Sequence, residues 1–232
     1  FVLAELMKKF NCKTLVFSSS ATVYGEPNIM PIKENFPVSP KNPYGRSKLM
    51  VETYLNDIFL ENDSWHIAIL RYFNPAGAHE SGLIGEDPNG VPNNLIPYIS
   101  QVAVGKFDKL KIFGGDYKTP DGTGIRDYIH VVDLAKGHVM ALKALKKKSQ
   151  ILTVNLGAGR GHSVLDMVKA FEKASSKKLS FEIIDRRPGD IPASFTDTTF
   201  AEKILGWKPK YDKNKICEDA WRWQQKNPSG YK

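Results

Sequence analysis

Residues 13–48 read KTLVFSSSATVYGEPNIMPIKENFPVSPKNPYGRSK, and their pattern predicts a strand, a loop and a helix in turn. The apolar run at residues 13–19 predicts a buried strand, and the serines that follow it mark the end of that strand. The proline-rich segment 27–43 predicts a loop, and Pro43 followed by Tyr44 predicts the first turn of a long helix. A buried strand that leads through a loop into a helix is the repeating unit of an α/β protein with a largely parallel sheet.

The same alternation of strands and helices continues along the 232-residue chain. Further strands are predicted at residues 66–73, 110–113, 151–156 and 179–184. Helices are predicted at residues 1–10, 94–104 and 131–145, from Ser163 onward, and twice in the tail, where the second ends near Trp223. Segment 74–94 is rich in Gly, Pro and Asn and is too long for a simple connection, so it is interpreted as a functional loop.

The composition is that of a globular protein and excludes several classes. Hydrophobic residues make up 41% of the chain and charged residues 25%, which excludes intrinsic disorder. Apolar runs fall short of the roughly 18 to 20 residues that a membrane-spanning helix needs, so no membrane partner is expected. Cys12 and Cys217 lie far apart, and the histidines follow no ligand spacing, so neither a disulfide framework nor a metal site is predicted. A reducing, cytoplasmic setting is expected.

The net charge of +8 permits an acidic partner without choosing one. The lysines cluster at residues 143–148, 177–178 and 208–215, each at a predicted helix end or turn, where cations are favoured. Because no zinc-finger spacing or RNA-binding aromatic signature accompanies them, no nucleic-acid partner is predicted. A basic nucleic-acid-binding module remains an alternative interpretation.

A tyrosine and a lysine at the start of the helix that begins near residue 43 suggest acid–base chemistry. Tyr44 and Lys48 are four residues apart, so their side chains share one helix face. A neighbouring ammonium favours the phenolate form of a tyrosine, and Lys48 is therefore predicted to make Tyr44 a general base. Ser20 follows the first strand, at the sheet edge where ligands of parallel sheets bind. In this order and spacing the three residues resemble the Ser-Tyr-Lys triad of the short-chain dehydrogenase/reductases.

Longer motifs narrow this resemblance to one family. The chain resembles the UDP-glucose 4-epimerases over essentially all of its residues. Six collinear segments carry the resemblance: 18–27 (SSSATVYGEP), 43–48 (PYGRSK), 70–77 (LRYFNPAG), 85–97 (GEDPNGVPNNLIP), 121–131 (DGTGIRDYIHV) and 221–230 (WRWQQKNPSG). The implied fold is α/β, with an incomplete Rossmann-type doubly wound parallel sheet and a smaller mixed α/β substrate domain.

The resemblance also implies a domain organisation and an assembly. Residues 1–74 would be the C-terminal remainder of an NAD-binding Rossmann domain whose N-terminal half, with its glycine loop, is missing. Residues 75–232 would be mainly the substrate-binding domain, with some segments returning to the sheet. The chain alone is therefore expected to be inactive. The full-length protein is expected to be a homodimer, packed through the helix of Tyr44 and the helix at residues 1–10.

Catalytic and cofactor roles transfer by resemblance, residue by residue. Ser20 would hydrogen-bond the sugar 4-hydroxyl, and Tyr44 would be the catalytic base and acid. Lys48 would tune Tyr44 and bind the nicotinamide ribose of NAD, and Tyr72 and Phe73 would lie near the nicotinamide. The implied reaction interconverts UDP-galactose and UDP-glucose through a 4-keto sugar, with hydride passing from C4 to NAD and back to the other face.

Substrate-binding roles transfer in the same way. The matching residues are Ser20, Ala21, Thr22, Asn74, Asn93, Asn94, Leu95, Lys111, Ile112, Phe113, Arg126, Arg187, Asp190 and Ser194. Among them, Arg126 and Arg187 match the diphosphate clamp, and Leu95 and Phe113 match the uridine pocket. Ser194 stands where the family carries either a tyrosine or a small residue. A small side chain leaves room at C2 of the sugar, so interconversion of UDP-GalNAc and UDP-GlcNAc is also predicted.

One glycine-rich segment resembles a dinucleotide-binding loop in its position between a strand and a helix. Residues 157–161 (GAGRG) follow a predicted strand and precede a helix, but their spacing is G-x-G-x-G and they lie downstream of the triad. We therefore predict a tight turn, with Ser163 as the N-cap of the next helix.

Two further alternatives stay open. A nucleotide-sugar 4,6-dehydratase would carry an acid–base pair where Ala21 and Thr22 stand, and neither of these side chains transfers a proton at neutral pH, which disfavours that reaction. A non-catalytic binding protein derived from an epimerase fold is the other alternative.

Overall fold

The computed structural model describes residues 1–231, and its contacts divide them into two compact units. The first boundary lies after Tyr72, close to the boundary at residue 74 that the sequence suggests. Unit 1 comprises Phe1–Tyr72, Ala135–Leu156 and Asp197–Lys208, and unit 2 comprises Phe73–Leu134, Gly157–Thr196 and Pro209–Lys232. The functional roles that the resemblance gives to residues 1–74 and 75–232 remain predictions.

The helices and strands follow the expected alternation. The helices are α1 (Val2–Lys9), α2 (Pro43–Glu61), α3 (Leu95–Ala103), α4 (Val131–Leu145), α5 (Val164–Ser175), α6 (Thr199–Leu205) and α7 (Lys213–Lys226). The strands are β1 (Thr14–Ser20), β2 (His66–Tyr72), β3 (Asn74–Ala76), β4 (Leu110–Phe113), β5 (Ile125–His130), β6 (Gln150–Leu156), β7 (Gly161–Ser163), β8 (Phe181–Ile184) and β9 (Ala193–Ser194). A 3₁₀ turn (Ala21–Tyr24) follows β1.

Unit 1 is built on a parallel sheet with the strand order β1-β2-β6. The central strand β2 is buried along nearly its whole length, as expected where helices cover both faces of a parallel sheet. This sheet confirms the α/β prediction. Because parallel strands end at the same edge, Ser20 and Tyr72 lie side by side in register at its carboxyl edge.

An apolar cluster holds α1 and α2 on this sheet. Met7 of α1 and Leu55 and Ile58 of α2 pack with Trp65, Ile67 and Ile69. Fully burying one such side chain contributes about 1.5–3 kcal/mol. The cluster lies along the C-terminal half of α2, so the N-terminal turns that carry Tyr44 and Lys48 are left for other contacts.

Unit 2 is built around β5, a strand that the sequence analysis missed. β5 pairs in parallel with β3 and β9 and antiparallel with β7, while β4 and β8 form a separate parallel pair. β5 has no continuous apolar run because Arg126 and Asp127 interrupt it. Helices α3, α5 and α7 contribute Ile99, Phe171 and Trp221 to the core of this unit.

The long connection at residues 74–94 is largely irregular, as predicted, although β3 occupies its first residues. Ser163 caps α5 as predicted, and its hydroxyl oxygen accepts a hydrogen bond from the Asp166 N–H at 3.0 Å. No helix within residues 1–231 is long and apolar enough to cross a membrane.

Candidate active site

Ser20 is oriented by the turn that it begins. Its Oγ accepts hydrogen bonds from the Thr22 N–H at 3.2 Å and from the Thr22 hydroxyl at 2.9 Å. Since both of these bonds are accepted by Oγ, the hydroxyl proton of Ser20 is left to donate to a ligand oxygen. Ala21 and Thr22, which the resemblance assigns to substrate binding, therefore belong to the turn that orients the Ser20 hydroxyl.

Tyr44 stands in the first turn of α2, which is capped and closely packed. The Asn42 side chain accepts a hydrogen bond from the Gly45 N–H at 2.7 Å. A Cβ atom on Gly45 would lie 2.8 Å from the Thr22 carbonyl oxygen, so only glycine lets α2 approach the 3₁₀ turn this closely. The helix thus presents Tyr44 beside that turn with 55% of its surface exposed to solvent.

Lys48 lies beside Tyr44 and is anchored to β1. Its Nζ donates to the Ser18 carbonyl oxygen at 2.9 Å and lies 5.6 Å from the centre of the Tyr44 ring. An ammonium group carries three protons, so Lys48 keeps donors for a ligand beyond its bond to Ser18. The structure therefore brings Ser20, Tyr44 and Lys48 to one end of the unit 1 sheet.

Tyr72 ends β2 as a neutral hydrogen-bonding group. Its hydroxyl donates to Ser18 Oγ at 2.7 Å and also contacts His138 Nε2 on α4. Burial raises the pKa of Tyr72 above its ordinary value, and the nearby Tyr44 adds to the shift against the opposing effect of Ser18. Sequence reasoning missed Ser18 and His138, because their contact with Tyr72 depends on register and helix packing and not on spacing along the chain.

In unit 2, three predicted substrate residues lie together. The Arg126 guanidinium donates to the Asp190 carboxylate, and Arg126 pairs in register with Ser194 between β5 and β9. Both side chains of this ion pair keep some exposure to solvent. Arg126 Nη1 also donates to the Ile125 carbonyl oxygen at 2.8 Å, so the exposed carboxylate is the partner that another anion can replace.

A second arginine lies over an aromatic ring. The Arg187 guanidinium carbon is 3.8 Å from the centre of the Phe113 ring, and the Arg187 residue is exposed. The neighbouring Arg186 makes a similar contact with Tyr117 at 4.1 Å and pairs with Asp116. The sequence analysis did not single out Arg186.

The remaining predicted residues are placed less favourably for ligand contact. Asn94 stands at the N-cap position of α3, but its side chain donates to Glu86 at 2.9 Å instead of capping the helix. Ile112 is 1% exposed inside the core of unit 2, so only its backbone is left for the predicted substrate contact. Asn74, Asn93 and Lys111 are exposed, Leu95 is partly buried and Phe73 is buried.

The glycine-rich turn at residues 157–161 surrounds a carboxylate of its own chain. The N–H groups of Ala158 and Gly159 donate to Asp127 at 2.6 and 3.1 Å, and the Thr196 N–H donates at 3.1 Å. A Cβ atom on Gly157 would lie 2.5 Å from the same carboxylate. Burial raises the pKa of Asp127 to about 6 against the lowering effect of these three donors. The tight turn is as predicted.

The donor set of unit 1 fits one end of a dinucleotide. Tyr44 and Lys48 offer a phenolic hydroxyl and an ammonium, which suit the hydroxyls of a nicotinamide ribose. The glycine-rich turn does not fit the pyrophosphate, because its N–H groups already bind Asp127. Within residues 1–231, no group of three or more His, Cys, Asp or Glu side chains could hold a metal ion.

Comparisons with known proteins show the family to which the chain belongs. The model of the NAD dependent epimerase/dehydratase family matches residues 1–157. UDP-glucose 4-epimerase of Bacillus subtilis (strain 168) is 56% identical over the whole chain, which covers 68% of that relative. UDP-glucose 4-epimerase of Homo sapiens is 53% identical over 99% of the chain and 66% of its own length.

The same likeness holds for solved structures. The crystal structure of UDP-glucose 4-epimerase from Bifidobacterium longum, in complex with NAD⁺ and UDP, matches with a TM-score of 0.96 at 52% identity. The match covers 99% of this chain and 69% of that one, so the chain spans about two thirds of the length of these relatives. The chain belongs to the NAD dependent epimerase/dehydratase family and, within it, to the UDP-glucose 4-epimerases.

Proposed function

We propose that the whole protein that carries this sequence interconverts UDP-galactose and UDP-glucose by NAD-dependent oxidation and reduction at C4 of the sugar. The observation that carries the proposal is the arrangement of Ser20, Tyr44 and Lys48 at the carboxyl edge of the unit 1 sheet. The names of the relatives and the NAD⁺ and UDP bound in the Bifidobacterium longum structure support it.

The residues of unit 1 handle the proton of the 4-hydroxyl. Tyr44 accepts this proton as a phenolate, which the Lys48 ammonium stabilises, and Ser20 donates a hydrogen bond to the same oxygen. NAD, when bound, would supply the acceptor for the hydride of C4 and the donor that returns it to the opposite face of the 4-keto sugar. Tyr44 then gives the proton back to the oxygen of the inverted alcohol.

The residues of unit 2 bind the constant part of the substrate. Arg126 can exchange Asp190 for a diphosphate oxygen, and Arg187 can contact the same diphosphate while Phe113 borders the uridine. The ionic contacts are thus directed to the diphosphate, which leaves the hexose free to present either face.

We further propose that N-acetylated substrates are accepted. Ser194 lies in register beside Arg126, and its small side chain leaves space where a tyrosine would project. The proposed reaction therefore includes the interconversion of UDP-GalNAc and UDP-GlcNAc.

Assembly and setting are also proposals. Leu3, Leu6 and Phe10 in and just after α1 and Met50 of α2 are exposed apolar side chains, which supports a homodimer packed through these helices. A cytoplasmic setting is proposed on the exposed, unpaired Cys12.

A coupled assay tests the reaction. The whole protein is incubated with UDP-galactose and NAD, and UDP-glucose is detected with a dehydrogenase specific for it. We expect UDP-glucose to form, whereas a product that lacks the C6 hydroxyl would indicate a 4,6-dehydratase. UDP binding without conversion would indicate a binding protein, and a salt-dependent oligonucleotide shift would indicate a nucleic-acid-binding module. The 232-residue chain assayed alone is expected to be inactive.

A further inference from the structure

The helix face that carries the proposed base continues into the protein interior. Tyr44, Lys48 and Glu52 follow one another at intervals of four residues, so they share one face of α2. Exposure falls along this face, from the exposed Tyr44 through the half-buried Lys48 to Glu52, which is 3% exposed. A buried carboxylate one turn beyond Lys48 needs partners, because an unpaired buried charge is costly.

An arginine from the centre of the sheet supplies those partners. Arg71 Nε donates to Glu52 Oε1 at 3.0 Å, and Arg71 Nη2 donates to Glu52 Oε2 at 2.6 Å. The Ser19 hydroxyl also donates to Glu52 Oε1. The contact is therefore bidentate and links α2 to both β1 and β2 through side chains that are nearly inaccessible to water.

The arginine belongs to a polar row that crosses the sheet. Ser19, Arg71 and Asn155 are in register on β1, β2 and β6, and all three are buried. The third guanidinium nitrogen of Arg71 donates to the Tyr24 hydroxyl at 2.9 Å, and that hydroxyl donates to Asn155 Oδ1 at 2.7 Å. The row stands one residue before Ser20 and Tyr72, so it lies directly behind the proposed active-site edge.

Packing alone does not explain why an ion pair stands there. Two apolar side chains of similar volume often stabilise a protein as well as a buried ion pair or better, because they avoid the desolvation of two charges. A bidentate pair differs from an apolar contact in that it satisfies its hydrogen bonds in one geometry only. Leu55 and Ile58 hold α2 on the sheet by apolar contacts, which are not directional.

We propose that the Glu52–Arg71 ion pair is a positioning element that fixes the rotation and height of α2 on the sheet, and thereby places Tyr44 and Lys48 relative to Ser20. The proposal rests on the proposed function, since it concerns residues that would transfer the proton. Neither Glu52 nor Arg71 touches the substrate, and each acts through the helix.

The decisive variant is the double substitution Glu52→Leu with Arg71→Met in the whole protein. We expect it to fold with a lower thermal midpoint, because the apolar pair fills the same space but leaves the buried Ser19 hydroxyl without its acceptor and the Tyr24 hydroxyl without its guanidinium donor. Turnover should fall on the order of 10²-fold, as expected for misplaced reacting groups, while the affinity for UDP stays unchanged. Wild-type kcat in the folded double variant would overturn the proposal.

A matched control separates positioning from stability. Ile58→Ala removes buried apolar surface near the far end of the same helix and lowers the thermal midpoint without touching the polar row. We expect its kcat, measured well below that midpoint, to stay within about twofold of the original protein. A loss of kcat in Ile58→Ala as large as in the double variant would overturn the proposal.

Two further measurements keep the proposal testable. Amide hydrogen exchange at residues 44–48 should be faster in the double variant than in Ile58→Ala, and equal rates would overturn the proposal even if the original protein had no epimerase activity. If the double variant does not fold, Glu52→Gln replaces it, because glutamine keeps the shape and one acceptor oxygen. A smaller loss of kcat at constant UDP affinity is then expected, and unchanged kcat would count against positioning.

Discussion

Two of the buried carboxylates, Glu52 of unit 1 and Asp127 of unit 2, lie beside candidate site residues, and they are satisfied in different ways. In unit 1, Glu52 is held by the charged guanidinium of Arg71 and by the Ser19 hydroxyl. In unit 2, Asp127 is held by three backbone N–H groups, and no cation is among its hydrogen-bond partners within residues 1–231. The first arrangement fixes a helix on a sheet, and the second fixes the backbone of two loops.

This difference matches the task proposed for each unit. Unit 1 must hold its reacting groups in one geometry, so its ion pair is buried and bidentate. Unit 2 must release and bind an anion, so its functional arginine Arg126 is paired at the surface with Asp190, while Asp127 shapes the chain next to it.

The largest effect is expected from Tyr44→Phe in unit 1. Without the phenolic oxygen, no group of the triad can accept the 4-hydroxyl proton, so kcat should fall on the order of 10³-fold, or about 4 kcal/mol. The affinity for UDP, measured by calorimetry, should stay unchanged because unit 2 is intact.

Tyr54→Phe is the matched control on the same helix. It removes only a hydroxyl that donates to Glu5 at 3.3 Å, so turnover should stay at the original level. Near-normal turnover in Tyr44→Phe, or an equal loss in both variants, would contradict the proposed division of tasks, in which unit 1 transfers the proton and unit 2 binds UDP.

The second prediction concerns how the free energy of unfolding depends on pH. This dependence reports how the buried Asp127 carboxyl is stabilised. Its pKa of about 6 in the folded protein lies above its ordinary value of 3.8, so folding favours the protonated carboxyl. This contribution is fully present below about pH 4 and is lost as the pH rises through about 6, a change of roughly 3 kcal/mol. Asp127→Asn stays neutral at every pH and should lack this change.

Denaturant unfolding of both proteins between pH 4 and pH 8 measures the difference. The stability of the original protein relative to Asp127→Asn should decline with rising pH, whatever constant cost the amide brings. A difference that is flat with pH would show that the three N–H donors balance the effect of burial on the pKa of Asp127. A difference that grows with pH would show that the donors outweigh burial and lower this pKa.

The third prediction concerns the binding of UDP by unit 2. Arg126→Met removes a charge-assisted donor, and the dissociation constant for UDP should rise roughly 10- to 100-fold. Turnover at saturating substrate should change little, because the triad is untouched. Arg160→Met, at an exposed arginine of the same unit, makes the same charge change and should leave UDP binding unaltered. A large loss of kcat in Arg126→Met at saturating substrate would contradict the proposal that Arg126 of unit 2 acts in binding and not in turnover.

The smallest effect concerns substrate choice. Ser194→Tyr fills the space assigned to the C2 substituent, so the ratio of kcat/KM for UDP-GalNAc to that for UDP-galactose should fall at least about tenfold. Activity on UDP-galactose should be retained. An unchanged ratio in competition assays would remove Ser194 as a determinant of substrate range.

Sequence reasoning predicted the helices and strands whose signals are local in the chain. β1 follows from an apolar run, and the start of α2 follows from Pro43 and Tyr44, whereas its cap Asn42 was not identified from the sequence. β5 was missed because Arg126 and Asp127 interrupt its apolar pattern. The sequence also indicated that residues 157–161 form a turn, but it could not identify Asp127 as the acceptor, since that contact depends on strand pairing.

The candidate site likewise contains residues with local sequence signals and contacts that have none. Ser20, Tyr44 and Lys48 were found from order and spacing, and the structure brings them together. The Glu52–Arg71 pair, the contact of Tyr72 with His138 and the burial of Ile112 were not found, because each depends on register or helix packing across distant parts of the chain. Local patterns therefore predicted the candidate reacting residues, whereas the tertiary contacts show which side chains pack around them.

The most direct test of the proposed chemistry follows a label at the reacting carbon. The whole protein is incubated with UDP-galactose deuterated at C4, and the UDP-glucose formed is analysed by NMR. Hydride transfer away from C4 and back, with Tyr44 moving only the hydroxyl proton, predicts that the deuterium stays at C4 in the inverted product. Loss of the deuterium to solvent during inversion would contradict it.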